Sequence, residues 1–156
     1  MEEAYVLPRS ASIEDPLRIA VLISGGGSGL AALLRYQESK ARTHQTVLVL
    51  ADSEGAGGLE HATSREIENY GIPLPIIEDK LQRRLAHEEL VHNALVNADV
   101  ELVVLSGYMR ILTPSFVKRW KGRLVNIHPS LLPKYPGAHA HRDALADGAT
   151  VSGCTV

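Results

Sequence analysis

The sequence predicts an α/β fold, an open and mostly parallel sheet with helices on both faces. Three observations carry this. Short apolar runs alternate along the chain with segments whose apolar residues recur at helical spacing. The first run, Leu17-Arg18-Ile19-Ala20-Val21-Leu22-Ile23, is apolar at almost every position, as in a strand buried on both faces, and stops at Ser24-Gly25-Gly26-Gly27. Three unusual loops, at 25–29, 107–110 and 126–129, each follow a predicted strand and so fall at the carboxyl edge, where open parallel sheets bind their ligands.

The elements follow in order. Residues 1–16 mix Glu, Ser and Pro with few large apolar groups and read as a loose leader, so one domain is expected over 17–156. After the first strand, Ser28 to about Glu38 sets Leu30, Leu33 and Leu34 at helical spacing, with Ser28 placed to cap the helix. Thr46 to Ala51 is a second strand. A helix is expected from about Gly58 to Asn69, then a weaker strand over Leu74 to Ile77. Over 81–97 a stripe of Leu81, Leu85, Leu90, Ala94 and Leu95 predicts a helix. Glu101 to Leu105 is the fourth strand, Pro114 to Trp120 a short helix opened by proline, and Arg123 to Ile127 the fifth strand. A helix near Ala138 to Ala146 and a strand from Thr150 close the pattern.

Composition narrows the function. Sixteen Lys and Arg against eighteen Asp and Glu leave a formal charge of −2, which speaks against binding nucleic acid through bulk electrostatics. The single Cys154 excludes an internal disulfide and a cysteine zinc site; it fits a reducing, cytoplasmic compartment and reads as a small buried residue. No apolar run reaches the roughly 18–20 residues that would cross a bilayer, and no metal-ligand spacing stands out. Phe116 and Trp120, four apart, read as helix packing.

Two motifs carry chemistry. Gly25-Gly26-Gly27-Ser28-Gly29 lies between a strand and a helix, where free amides and the helix dipole favour an anion. Gly27-Ser28-Gly29-Leu30-Ala31-Ala32 also satisfies G-x-G-x-x-A, with Asp52 near the end of the second strand where a ribose-binding acid would stand. A nicotinamide-dependent oxidoreductase is therefore a rival reading. The second motif is Asn126-Ile127-His128-Pro129. The strand's period of two sends Asn126 and His128 to one face, and Pro129 forces the chain out of the sheet. A carboxamide beside an imidazole suits carbonyl chemistry, one group donating to an oxyanion and the other moving a proton.

Four segments together, Ile23 to Ser28, Gly58-Leu59-Glu60, Gly107-Tyr108-Met109-Arg110-Ile111-Leu112, and Asn126 to Gly137 (NIHPSLLPKYPG), make the chain from about Arg18 to Val156 resemble the folate-dependent phosphoribosylglycinamide formyltransferases. The resemblance implies a Rossmann-like formyltransferase fold and transfer of a formyl group from 10-formyltetrahydrofolate to the amine of a ribonucleotide in purine synthesis. It implies that Gly27, Ser28 and Gly29 hold the substrate phosphate, that Asn126 steadies the oxyanion, and that His128 is the proton donor. Arg84 would meet the folate tail. Met109, Arg110, Ile111 and Leu112, with Asn126, would border the folate site, and no metal is implied.

Two departures from the family pattern stand out. Gly29 occupies a position where the family usually has Asn, so a side-chain contact to phosphate is lost. The family's catalytic aspartate, last strands and C-terminal helix fall beyond Val156, so the isolated chain is expected to be weakly active or inactive. It could also act as a phosphate-binding unit without catalysis. The sheet edge left unpaired could support a dimer.

Overall fold

A computed structural model describes residues 5–156. Its five strands form a single all-parallel sheet in the order β3-β2-β1-β4-β5. They are β1 (Leu17–Ile23), β2 (His44–Ala51), β3 (Glu68–Gly71), β4 (Leu102–Ser106) and β5 (Leu124–Ile127). Between and after them come α1 (Ser28–Glu38), α2 (Leu59–Thr63), α3 (Lys80–Asn97), α4 (Pro114–Arg119) and α5 (Ala140–Ala146). Strand order reverses between β1 and β4, and their carboxyl ends frame the crevice where such sheets take ligands.

The pleat sorts the central strands into two cores. Ala20, Leu22, Leu48, Leu50, Val103 and Leu105 face α3 and α4, packing on Val91, Leu95, Phe116 and Trp120. The alternate residues Ile19, Val21, Ile23, Val49, Ala51 and Val104 face α1 and α2, against Leu30, Leu34 and Ala62. Helices therefore cover both faces, which is why β1 is apolar at consecutive positions. Each fully buried Leu or Ile here contributes about 1.5–3 kcal/mol of burial.

The structure corrects several local expectations. The third strand is Glu68–Gly71 and not Leu74 to Ile77, which has no regular structure. The helix expected from Gly58 to Asn69 is confined to Leu59–Thr63, because Glu66 turns the chain through φ +56° before β3. Helix α3 buries His87, Glu88, Val91 and Leu95, whereas Leu81 and Leu90 are exposed. The carboxyl-terminal segment forms only a one-residue antiparallel bridge, Thr155 to His128, in place of a strand. Cys154 is exposed. Residues 5–16 have no helix or strand; Val6 N–H donates to Lys121 O at 3.1 Å, and Arg9 pairs with both Asp15 and Glu101. No described helix is long and apolar enough to cross a membrane.

Candidate active site

The glycine loop is shaped by close backbone packing. Gly27 stands at the N-cap of α1 with φ +69°, a left-handed conformation that suits glycine, and a Cβ there would come within 3.1 Å of Gly58 Cα. Gly58 N–H donates to Gly25 O at 2.9 Å, and His61 Nε2 donates to Gly26 O at 3.1 Å, so α2 clamps the loop. Ser28 is the first residue of the helix and not its cap; its exposed side chain makes no cap hydrogen bond. The first helical bond runs from Ala31 N to Gly27 O at 2.8 Å. The amides of Ser28, Gly29 and Leu30 are thereby left without a carbonyl partner in the helix, which is the arrangement an anion uses.

The loop after β4 walls a cleft of about 290 Å³. Tyr108, Met109, Arg110, Ile111 and Leu112 form one side, and Leu74 with Arg84, His87 and Glu88 of α3 the other. Three tethers hold this wall. Met109 N–H donates to Ser24 Oγ at 2.8 Å, tying it to the end of β1. Arg110 Nε donates to Asp52 Oδ2 at 2.7 Å, tying it to the end of β2. Arg84 Nη2 donates to Ile111 O at 2.7 Å, tying it to α3. Arg84, and not its neighbour Arg83, lines the cleft; Arg83 turns to Ile77 O. Behind the wall, buried Glu88 accepts from Thr113 N–H at 2.8 Å and Thr113 Oγ1 at 2.5 Å, fixing the start of α4 where the loop ends. Burial pushes the Tyr108 hydroxyl well above the usual phenol range, and the Asp52 carboxylate adds to it. Asp52, read as a possible ribose ligand, is thus engaged by Arg110.

Asn126, the last residue but one of β5, is exposed and pairs with Leu105 of β4. It is not among the residues lining the cleft. His128 follows at the same edge, half-buried, and its Nε2 lies 3.1 Å from Tyr135 O. A carbonyl only accepts, so Nε2 carries a hydrogen and Nδ1 is the nitrogen left to exchange a proton.

The turn after His128 depends on a residue that sequence reasoning missed. Thr155 exchanges backbone bonds with His128 at 2.8 and 2.9 Å, donates from Oγ1 to Ser130 O at 2.7 Å, and accepts there from Leu132 N–H at 3.0 Å. Nothing in one sequence marks Thr155, nor Ser24 or Glu88, because each acts through a partner distant along the chain. His139 stands at the N-cap of α5 and His141 within its first turn. Among the described residues, no three His, Cys, Asp or Glu side chains are grouped to hold a metal ion.

An all-parallel sheet with a glycine loop after β1, a walled cleft after β4 and an Asn–His pair around the end of β5 defines a Rossmann-like α/β architecture. The family model described as formyl transferase matches residues 17–156, and the chain belongs to that family. It is 48% identical over 143 residues to the trifunctional purine biosynthetic protein adenosine-3 of Drosophila melanogaster, covering 89% of this chain and 10% of that protein. It is 41% identical over 141 residues to phosphoribosylglycinamide formyltransferase of Escherichia coli K12, covering 90% and 64%. The crystal structure of phosphoribosylglycinamide formyltransferase from Brucella melitensis superposes with a TM-score of 0.81 at 36% identity, over 90% of this chain and 71% of that one. The chain thus spans about a tenth of the trifunctional relative and 64% of the Escherichia coli enzyme.

Proposed function

We propose that this chain carries the substrate sites for formyl transfer from 10-formyltetrahydrofolate to the amine of 5-phosphoribosylglycinamide. The observation that supports it best is the alignment of three features along one sheet edge: the anion loop, the cleft behind Met109–Leu112, and the Asn126–His128 pair. The ribonucleotide phosphate rests on Gly27, Ser28 and Gly29, the folate lies in the cleft with Arg84 toward its tail, and the formyl carbon sits at the end of β5. The substrate amine forms a bond to that carbon, whose oxygen gains negative charge met by the Asn126 amide N–H. The bond from carbon to folate N10 then breaks. The proton lost by the amine reaches N10, with His128 relaying it. Its compartment follows the family expectation, that of a cytoplasmic enzyme acting on small molecules.

The test is a spectroscopic assay of tetrahydrofolate release with both substrates, run on this chain and on a form continuing past Val156. Amine-dependent product in the longer form, lost on His128→Ala and reduced about a hundredfold or more on Asn126→Ala, is the expected result. Product formed at the same rate without the amine would assign hydrolysis instead. No product from either form would discard formyl transfer.

A further inference from the structure

Ser106, the last residue of β4, plays no part in the site as described so far. An ideal Cβ built on Gly29 would lie less than 3.0 Å from Ser106 Oγ, so the hydroxyl occupies the space that a side chain at position 29 would need. Ser106 is half-buried, and its hydroxyl has no hydrogen-bond partner among the described residues. It abuts the first turn of α1 at Gly29 and, with Gly29, Leu30, Val104, Val125 and Ile127, lines the hollow on that face of the sheet; the helix itself leaves the amides of Ser28, Gly29 and Leu30 unpaired.

Its place in the sheet matters as much. Strand β4 runs between β1, which leads into the glycine loop, and β5, which carries Asn126 and leads into His128. Ser106 is paired with Ile127, and its neighbour Leu105 with Asn126. A ribonucleotide reaching from the loop to Asn126 and His128 must cross the end of β4. We propose that the Ser106 hydroxyl is a ligand for the substrate phosphate, donated from across the sheet, and that Gly29 makes the room for it. A hydroxyl and three free amides then converge on one anion, and Ser106 replaces in space the side chain that residue 29 lacks. The inference rests on the formyl-transfer reading for the identity of the ribonucleotide, and on the structure alone for the phosphate contact.

Calorimetric titration of the full chain with phosphoribosylglycinamide tests it. A hydrogen bond to a charged phosphate predicts that Ser106→Ala weakens binding about tenfold to a hundredfold, while folate binding is unchanged. Gly29→Asn alone also weakens binding, because its Cβ displaces the Ser106 hydroxyl. Gly29→Asn combined with Ser106→Ala recovers affinity, since the amide can then reach the anion, whereas Gly29→Ala with Ser106→Ala does not. Circular dichroism melts check that each variant folds, and Ser106→Ala, which only removes an atom, decides the matter if the Gly29 variants do not. Wild-type affinity in Ser106→Ala overturns the proposal. So does an equal loss with the dephosphorylated riboside, which would move the contact to the ribose. If the wild type takes up no phosphoribosylglycinamide, the functional reading fails. Ribose 5-phosphate then serves as the probe: an effect of Ser106→Ala on its binding sustains the phosphate contact, and its absence, or no uptake by the wild type, overturns it.

Discussion

One threonine governs the turn that presents His128. The hydroxyl of Thr155 holds Ser130 O and Leu132 N–H at once, while its backbone pairs with His128. Thr155→Val keeps the shape and the backbone bridge but removes both hydroxyl bonds, at a cost of about 1–2 kcal/mol. We expect a lower midpoint in urea and a fall in kcat at nearly constant KM for the folate, with Thr155→Ser restoring both; unaltered turnover would separate the turn from catalysis. At this scale the sequence was legible where chemistry is local. The glycine loop and the Asn126–His128 spacing declare themselves within a few residues. Thr155 and Ser24 do not, since a hydroxyl becomes informative only when the fold brings a distant backbone amide to it. Ser28 shows the reverse: its position before a helical pattern suggested a cap, but the loop enters α1 through the positive φ of Gly27 and shifts the cap back by one residue.

Among the elements, α3 departs most from its sequence pattern. A stripe of leucines suggested the buried face, yet the helix turns His87 and Glu88 inward and leaves Leu81 and Leu90 outside. Each inward polar group is matched: His87 Nε2 donates to Ile72 O at 2.7 Å, and Glu88 accepts twice from Thr113. Such pairing makes polar burial tolerable, and apolar periodicity alone cannot foresee it. Glu88→Gln leaves one oxygen for two donors and sets an amide N–H against the other. It should destabilise the chain by about 1.5–3 kcal/mol, measured by urea unfolding. Because Thr113 follows Leu112 directly, the same variant should weaken folate binding more than ribonucleotide binding; equal losses would argue against a role in the cleft wall. The missed strand β3 has a related cause. Glu68 and Tyr70 are exposed on an outer strand, so its sequence carries no apolar run to reveal it.

For the whole molecule, the alternation of strand and helix was enough to read the parallel sheet, because burial on two faces imprints on every central strand. Residues 5–16, which carry no apolar pattern to place them, make an electrostatic tie to the sheet. Arg9 bonds to Glu101 at the amino end of β4, and that contact, followed by the Arg18 backbone N–H, holds the Glu101 carboxyl below the ordinary carboxylate range. A depressed pKa contributes stability that is present above the unfolded value, near 4.5, and is lost as pH falls through the folded value. Arg9→Ala should therefore cost little at pH 7, because so exposed a pair is screened by solvent, and should flatten the acid limb of the stability curve. A curve of unaltered slope in Arg9→Ala would dissociate the segment from that limb. The sheet's order has a consequence for motion as well. The strand that carries Asn126 lies at one edge of the sheet, hydrogen-bonded along one side to β4, and the single bridge on the other side falls just past its end, at His128. Amide hydrogen exchange should accordingly be faster through β5 than through β1, so Asn126 and the adjoining His128 sit at a readily opened edge of the sheet, and substrate bound there should be registered as slowed deuterium uptake in β5.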